Sequence, residues 1–152
     1  MIKIKISGTG LYAPGEAIDN KTLKEIAGIE FDETKMEGKI GIYKRHIAKF
    51  RNIDETTADF ATKAALKAIE DAGISNDEPG LFIVATDTPE FVTPATAILV
   101  QGRVQGAEQW SMSFDVASSC ASFTMAFDTA ASILNSNPLI QYAVITGVYN
   151  MP

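Results

Sequence analysis

The chain has 152 residues, of which 46% are hydrophobic and 21% charged, and its formal net charge is −6. This length allows one domain with a real hydrophobic core, and the apolar content excludes a disordered chain. No basic patch dominates, which argues against a nucleic-acid partner. No stretch approaches the roughly 18 consecutive apolar residues that a membrane span requires. The N-terminus alternates charged and apolar residues, unlike a signal peptide.

Cysteine and histidine each occur once, which narrows the possible chemistry. One cysteine excludes an internal disulfide and any zinc site built from several cysteines. A metal site would depend mostly on carboxylates, so we expect no metal ion. A free thiol also favours a reducing, cytoplasmic setting.

The first third of the chain contains short predicted elements. A period-2 pattern of isoleucines over residues 2–6 predicts a half-exposed strand, followed by a glycine-rich loop over 8–15. Asn20 is expected to cap a short helix that stops at Gly28. Residues 29–55 mix polar and apolar types and are largely polar. They predict a long irregular segment with a short strand near 45–47.

Longer elements follow and alternate between helix and strand. A helix is expected from Thr56 or Thr57 to Gly73, because its apolar residues recur at helical spacing. The other expected elements are a strand over 81–85, a helix from Pro94 to about Gly106, a strand over 113–116, a helix over 120–134 and a strand over 142–146. This alternation predicts an α/β layered fold with a mixed, largely parallel sheet, in a single domain. Helix 120–134 contains no Lys, Arg, His or Glu and a single Asp, Asp128, so we expect it to be covered on several sides.

Cys120 is the strongest candidate for chemistry. It lies in Phe-Asp-Val-Ala-Ser-Ser-Cys-Ala-Ser-Phe, where a predicted strand runs through small residues into a predicted helix. Backbone N–H groups and the positive dipole end at a helix start favour the nucleophilic thiolate form. The alternative is an inert core cysteine, since no general base is adjacent in the sequence.

Two other motifs have competing interpretations. His46 follows Lys44 and Arg45, whose charges disfavour its protonated form, so a structural role is expected. Gly8-Thr-Gly10-Leu-Tyr-Ala13 matches a dinucleotide-binding fingerprint, but Pro14 and Gly15 prevent a helix from opening directly after it. A tight turn is therefore the favoured interpretation.

A loop and a basic cluster complete the candidate sites. The loop over 87–94 follows one predicted strand and precedes a helix; it either lines an apolar tunnel or subunit contact or serves as an ordinary connection. Lys39, Lys44 and Arg45 form a small basic cluster in an acidic protein. It is either a contact for a phosphorylated cofactor or acidic partner, or a solvated face.

Three stretches in register resemble the N-terminal half of ketoacyl-acyl carrier protein synthase III, a thiolase-fold condensing enzyme. Gly-Thr-Gly-Leu-Tyr-Ala-Pro (8–14) resembles the family's opening strand and turn. Gly-Ile-Tyr-Lys-Arg-His-Ile-Ala (41–48) resembles its Gly-Ile-x-x-Arg-His-Ile signature. The segment over 114–123 resembles its nucleophile segment. The resemblance covers essentially the whole chain and implies a single N-terminal thiolase-like half-domain over 1–152.

The resemblance also implies a function. Cys120 would accept an acyl group from acyl-coenzyme A (acyl-CoA), and condensation with malonyl-acyl carrier protein would follow with loss of carbon dioxide, in fatty-acid biosynthesis. The backbone N–H of Cys120 would contribute to an oxyanion hole. Lys39 and Arg45 become candidates for contacts with the phosphates of coenzyme A or with the carrier protein. Family members pair through their N-terminal halves, so a homodimer is expected.

Departures from the family pattern limit these expectations. Lys35 aligns where the family often has a tryptophan that stacks on adenine, and Ser122 stands where a glycine is common, which bears on the shape of the pocket. The family's catalytic histidine and asparagine lie in a second half, which these residues do not include. We therefore expect this chain to be truncated and unable to condense alone. The alternatives are a non-catalytic acyl-carrier or partner-binding module and, less favoured, a nucleotide-binding domain.

Overall fold

Helices and strands alternate along the chain, as the sequence predicts. The computed structural model describes residues 4–150. In chain order the elements are β1 (Ile18–Asp19), α1 (Asn20–Ala27), α2 (Glu33–Lys35), a π-helical turn (Met36–Ile40), β2 (Lys44–Arg45), a 3₁₀ turn (Lys49–Arg51), α3 (Thr57–Ala72), β3 (Pro79–Ala85), α4 (Thr96–Gln105), β4 (Met112–Val116), a 3₁₀ turn (Ser119–Ala121), α5 (Ser122–Ser136) and β5 (Tyr142–Gly147).

The described residues fall into two units. One unit contains the chain up to Tyr12 and from Thr56 onward, and the other contains Ala13–Glu55. In the second unit, β1 pairs antiparallel with β2, so that Ile18 lies opposite Arg45. Beside this pair, the buried Asn20 side chain donates from Nδ2 to the Ile42 carbonyl oxygen at 2.9 Å.

A parallel sheet in the order β4–β3–β5 forms the centre of the first unit. Ala85 on β3 lies opposite Val116 on β4 and opposite Gly147 on β5, so the three strands end together. Parallel neighbours require crossover connections, which α4 and α5 supply. The predicted α/β layered, largely parallel architecture is confirmed.

Hydrophobic clusters cover both faces of β3, because successive side chains of a strand point to opposite faces. Phe82 and Val84 pack on one face with α3 and α4, whose small residues allow close approach. Leu81, Ile83 and Ala85 pack on the other face against α5. The continuous apolar run of β3 is typical of a parallel strand that is buried on both faces.

The start of α3 is fixed by a reciprocal capping box. The Asp59 N–H donates to Thr56 Oγ1 at 3.2 Å, and the Thr56 N–H donates to Asp59 Oδ2 at 2.9 Å. Gly73 ends the helix with a φ of 67°, the left-handed conformation that glycine adopts without strain. Both predicted boundaries of this helix are confirmed.

We expect the capping box to make stability depend on pH. The backbone N–H of Thr56, chiefly, and then its hydroxyl and Arg103 hold the pKa of Asp59 below its usual value, against an opposing effect of burial. This contribution is present above the unfolded-state pKa and is lost as pH falls through the lower folded-state pKa. Asp59→Asn should therefore cost no more than about 1 kcal/mol near pH 7, the usual value of an N-terminal capping interaction, because solvent screens this partly exposed carboxylate.

Urea unfolding of wild type and Asp59→Asn at pH 7 and at about pH 3 measures this difference in stability. The gap between the two proteins should shrink at the lower pH, since the wild-type carboxylate is then increasingly protonated. Asp77→Asn, at an exposed carboxylate, is the control and should show no gap at either pH. A gap of equal size at both pH values would contradict the prediction.

Two glycines allow the N-terminal segment to lie directly on α3. A Cβ at Gly8 would overlap the Ala68 carbonyl oxygen, and one at Gly10 would lie 2.6 Å from the Ala68 nitrogen. The Thr9 N–H donates to Asp71 Oδ2 at 2.8 Å and fixes the segment against the end of the helix. The glycines therefore serve close packing rather than pyrophosphate binding.

Several predicted boundaries are wrong in detail. Part of the strand expected over 2–6 lies outside the described residues, and Ile4 and Ile6 belong to no strand there. Asp19, not Asn20, caps α1, with its carboxylate accepting from the Thr22 N–H at 2.8 Å. Helix α4 begins at Thr96, two residues after Pro94, because a side chain from another strand caps it, as described below.

No helix between residues 4 and 150 combines the length and the apolar character needed to cross a bilayer.

Candidate functional site

The carboxyl ends of the three parallel strands bring two loops together. After β3, the Thr86 N–H donates to the Val116 carbonyl oxygen at 3.0 Å, and the Val148 N–H donates to the Ala85 carbonyl oxygen at 3.1 Å. These hydrogen bonds continue the backbone pairing of the sheet beyond the ends of the strands. The loop that begins at Asp87 and the turn that contains Cys120 therefore start at the same edge of the sheet, where α/β proteins commonly bind ligands.

Cys120 lies in the 3₁₀ turn Ser119–Ala121, directly before α5. The turn is closed by the Ala121 N–H, which donates to the Ser118 carbonyl oxygen at 3.1 Å. The helix thus begins two residues later than the sequence predicts. Cys120 is exposed in this chain, so the burial expected of a core cysteine is not observed, and its role as a nucleophile stays a prediction. An exposed thiol at the amino end of a helix is suited to nucleophilic attack.

Ser119, the residue before the cysteine, has an unusual backbone conformation. Its φ is 48°, in the left-handed region that residues with a Cβ seldom occupy. Its N–H donates to Asp87 Oδ1 at 3.2 Å. Its carbonyl oxygen accepts from Ser122 Oγ at 2.8 Å, and the same Oγ accepts from the Ser118 N–H at 2.7 Å. Side chains from both directions therefore hold the turn.

The loop after β3 is anchored by polar contacts. Thr57 Oγ1 donates to the Thr88 carbonyl oxygen at 2.8 Å, and the Asn150 N–H donates to Thr88 Oγ1 at 3.0 Å. Glu90 lies near Arg103 of α4, with 3.9 Å between Oε2 and Nη2. Farther along, Phe91 and Val92 are exposed, and the two interpretations of this loop, a tunnel or subunit contact and an ordinary connection, stay predictions.

Sequence analysis did not predict the residue that caps the start of α4 at this edge. Thr96 and Ala97, at the start of α4, donate their N–H groups to the two oxygens of Asp115 at 2.7 and 2.8 Å. Asp115 lies on β4, five residues before Cys120. No local pattern near Thr96 indicates this cap, because the acceptor follows 18 or 19 residues later.

The other predicted site residues lie in the second unit. Lys39 is exposed on the π-helical turn, and Arg45 is half-buried in β2. Arg45 Nη1 is buried and has no acceptor among residues 4–150. His46 Nδ1 lies 3.0 Å from the Gly15 carbonyl oxygen and 3.3 Å from that of Pro14. Since both partners only accept, Nδ1 is the donor, and the structural role expected of His46 stays a prediction.

Metal-ligating side chains do not cluster in the described part of the chain. No group of three or more histidine, cysteine, aspartate or glutamate residues there could hold a metal ion.

Comparison with solved structures assigns the fold to the thiolase-fold condensing enzymes. The 3-oxoacyl-[acyl-carrier-protein] synthase III of Aquifex aeolicus VF5 superposes with a TM-score of 0.81 at 34% identity, over 94% of this chain and 44% of that one. A beta-ketoacyl-[acyl-carrier-protein] synthase III of Wolbachia pipientis is 38% identical over 147 residues, which are 97% of this chain and 44% of the relative. That of Clostridium perfringens is 36% identical over 136 residues, which are 90% and 40%. No protein-family model matches.

These similarities confirm the resemblance that the sequence motifs indicate. The chain is a homologue of the N-terminal part of ketoacyl-acyl carrier protein synthase III. It spans 40–44% of the length of these curated relatives.

Proposed function

We propose that this chain supplies the nucleophile-bearing part of a ketoacyl-acyl carrier protein synthase III that acts in fatty-acid biosynthesis. The observation that carries the proposal is the exposed thiol of Cys120, at a strand-to-helix turn on the carboxyl edge of a parallel sheet. The similarity to enzymes of this name over 90–97% of the chain supports it.

The proposed reaction has two steps. In the first, Cys120 Sγ attacks the carbonyl carbon of an acyl-CoA thioester; the new S–C bond forms, the bond to coenzyme A breaks, and the thiol proton leaves with coenzyme A. The backbone N–H of Cys120 helps to stabilise the oxyanion that develops on the carbonyl oxygen. In the second, malonyl-acyl carrier protein loses carbon dioxide and its carbanion attacks the acyl group. Cys120 leaves as a thiolate and takes up one proton.

The second step needs groups that this chain does not supply. His46 is the one histidine in the sequence, and the resemblance matches it to the signature histidine of the first half and not to the catalytic histidine. The resemblance places the catalytic histidine and asparagine in a second half, whereas this chain spans less than half of its relatives. We therefore propose that the 152 residues alone do not form ketoacyl product.

Mass spectrometry of acyl transfer tests the role of Cys120. The longest form of the protein that its gene encodes is incubated with acetyl-, isobutyryl- and octanoyl-CoA, and tryptic peptides are searched for acyl groups. We expect a thioester on Cys120, and Cys120→Ala should abolish it, because alanine offers no nucleophile. Label that persists in Cys120→Ala would refute the assignment. Cys120→Ser, which keeps the shape but not the thiolate, is the matched control and should acylate far more slowly.

We also propose that Lys39 and Arg45 contact the phosphates of coenzyme A. Both are cations in an acidic protein, and the resemblance places the signature that contains Arg45 near the coenzyme A entrance. Lys39→Ala and Arg45→Ala should raise the KM for acyl-CoA, by about tenfold for loss of one charge-assisted hydrogen bond.

Acyl-pantetheine, which lacks the nucleotide phosphates, is the discriminating substrate for this prediction. Its KM should be the same in wild type and in both variants if the side chains contact those phosphates. Lys21→Ala, at an exposed lysine of α1, is the control for a general loss of positive charge. Equal rises in KM for both substrates would contradict a phosphate contact.

The exposed surface of α5 supports the view that this chain functions within a larger assembly. Ser122, Ala126 and Ala130 are buried against the sheet, but Phe123, Met125 and Phe127 are 49%, 50% and 40% exposed. The expectation that this helix is covered on several sides is therefore not met within the chain. A stand-alone binding module, the alternative, would hide such residues by itself or by self-association. We propose that the second half of the enzyme covers them, that the complete enzyme is a homodimer, and that it functions in the cytoplasm.

A further inference from the structure

The most constrained residue at the site is Ser119, not Cys120 itself. Its φ of 48° would relax in a free turn, because the left-handed conformation brings Cβ close to the following carbonyl oxygen. Both backbone polar groups of Ser119 are nevertheless bonded to side chains, the N–H to Asp87 and the carbonyl oxygen to Ser122. Two side-chain hydrogen bonds on one strained residue indicate a conformation that the surroundings impose.

The two side chains reach the turn from opposite sides. Asp87 follows β3, whereas Ser122 is the first residue of α5, so the turn is clamped between the central strand and the helix. Ser122 is 5% exposed, and its hydroxyl both donates to the Ser119 carbonyl oxygen and accepts from the Ser118 N–H. That hydroxyl is therefore engaged with the backbone.

We infer that Asp87 and Ser122 are positioning residues that fix the Ser119 backbone and thereby the direction of the Cys120 thiol. This inference rests on the proposed function, in which Cys120 is the nucleophile. Neither side chain bonds to the thiol; each acts through the backbone of the preceding residue. Ser122, which stands where the family commonly has glycine, thus supplies a clamp through an oxygen atom that glycine lacks.

The rate of Cys120 acylation tests the clamp in the longest form that the gene encodes. The probes are acetyl- and octanoyl-CoA over a range of concentrations up to saturation, with Asp87→Ala, Asp87→Asn and Ser122→Ala as variants. We expect the acylation rate constant to fall about 10- to 100-fold in both alanine variants, the usual effect of a misdirected reacting group. The KM should stay near the wild-type value, because neither residue is proposed to bind substrate. Asp87→Asn keeps a carbonyl oxygen as acceptor and should recover most of the rate.

Alkylation by iodoacetamide separates misdirection from a damaged fold. This small electrophile approaches from many directions, so its rate with Cys120 should change little in the alanine variants. Asp77→Ala, at an exposed carboxylate before β3, should match wild type in every measurement. Acylation rates near wild type in Asp87→Ala and Ser122→Ala would overturn the inference while leaving Cys120 as nucleophile. An equal fall in acylation and alkylation, or a rise in KM alone, would also overturn it. Absence of label on wild-type Cys120 would overturn the proposed function and this inference together.

Discussion

Replacing Phe82 by alanine is expected to lower the free energy of unfolding by about 3–5 kcal/mol, the range for a buried phenylalanine. Phe82 lies on β3, is 1% exposed and is the largest fully buried side chain in the described residues. It packs in the cluster formed by α3, α4 and the sheet. The alanines of α3 in this cluster are already buried, and their short side chains cannot fill the space that the ring leaves. Urea unfolding followed by circular dichroism measures the loss.

Two further variants make this prediction decisive. Phe91→Ala removes the same ring from a position that is 51% exposed and should cost less than about 1 kcal/mol. Phe82→Leu removes fewer buried atoms than Phe82→Ala and should cost clearly less, so it stays folded if the alanine variant does not. Equal losses in Phe82→Ala and Phe91→Ala would show that the sheet is not the stabilising centre of the chain.

The elements that the sequence predicted well are those whose determinants are local. The apolar run of β3 and the helical spacing of α3, with Thr56 before it and Gly73 after it, lie within about twenty residues of the chain. The strand expected over 2–6 does not form in its described part, because a strand depends on a partner that is not local in the sequence. Alternation predicts a strand only where a neighbour pairs with it, and residues 4–6 pair with no strand described here.

The candidate site was predictable in part. The run of small residues before Cys120 placed the thiol between a strand and a helix, because that change of periodicity is local. The clamp on Ser119 was not predictable, since Asp87 precedes it by 32 residues and only the register of β3 against β4 brings the two together. The resemblance identified Ser122 as a departure from the family pattern. Its hydrogen bonds to the backbone were not predictable, because they depend on the 3₁₀ turn. The resemblance suggested Lys39 and Arg45, and their roles stay predictions.

Asp115 shows the same dependence on tertiary structure and leads to the second large effect. Ala95, the residue before α4, has no side chain that could cap the helix, and Asp115 on β4 takes that role through both of its oxygens. The two donors are the N–H groups of Thr96 and Ala97, whose residues are fully buried. A carboxylate there also faces the positive end of the helix dipole.

We expect Asp115→Ala to cost about 3 kcal/mol, because two buried N–H groups lose their acceptor and neither water nor another side chain replaces it. Asp115→Asn keeps one oxygen but turns an amide N–H₂ towards the second donor, so about half of the loss should remain. Urea unfolding of the two variants, with exposed Asp77→Ala as control, measures the series. Without the carboxylate, the start of α4 and the loop that precedes it should become looser. Amide hydrogen exchange should therefore become faster first at Thr96 and Ala97, whose N–H groups lose their acceptor. A fully stable Asp115→Ala protein with unchanged exchange at both amides would contradict the role of this carboxylate as the cap of α4.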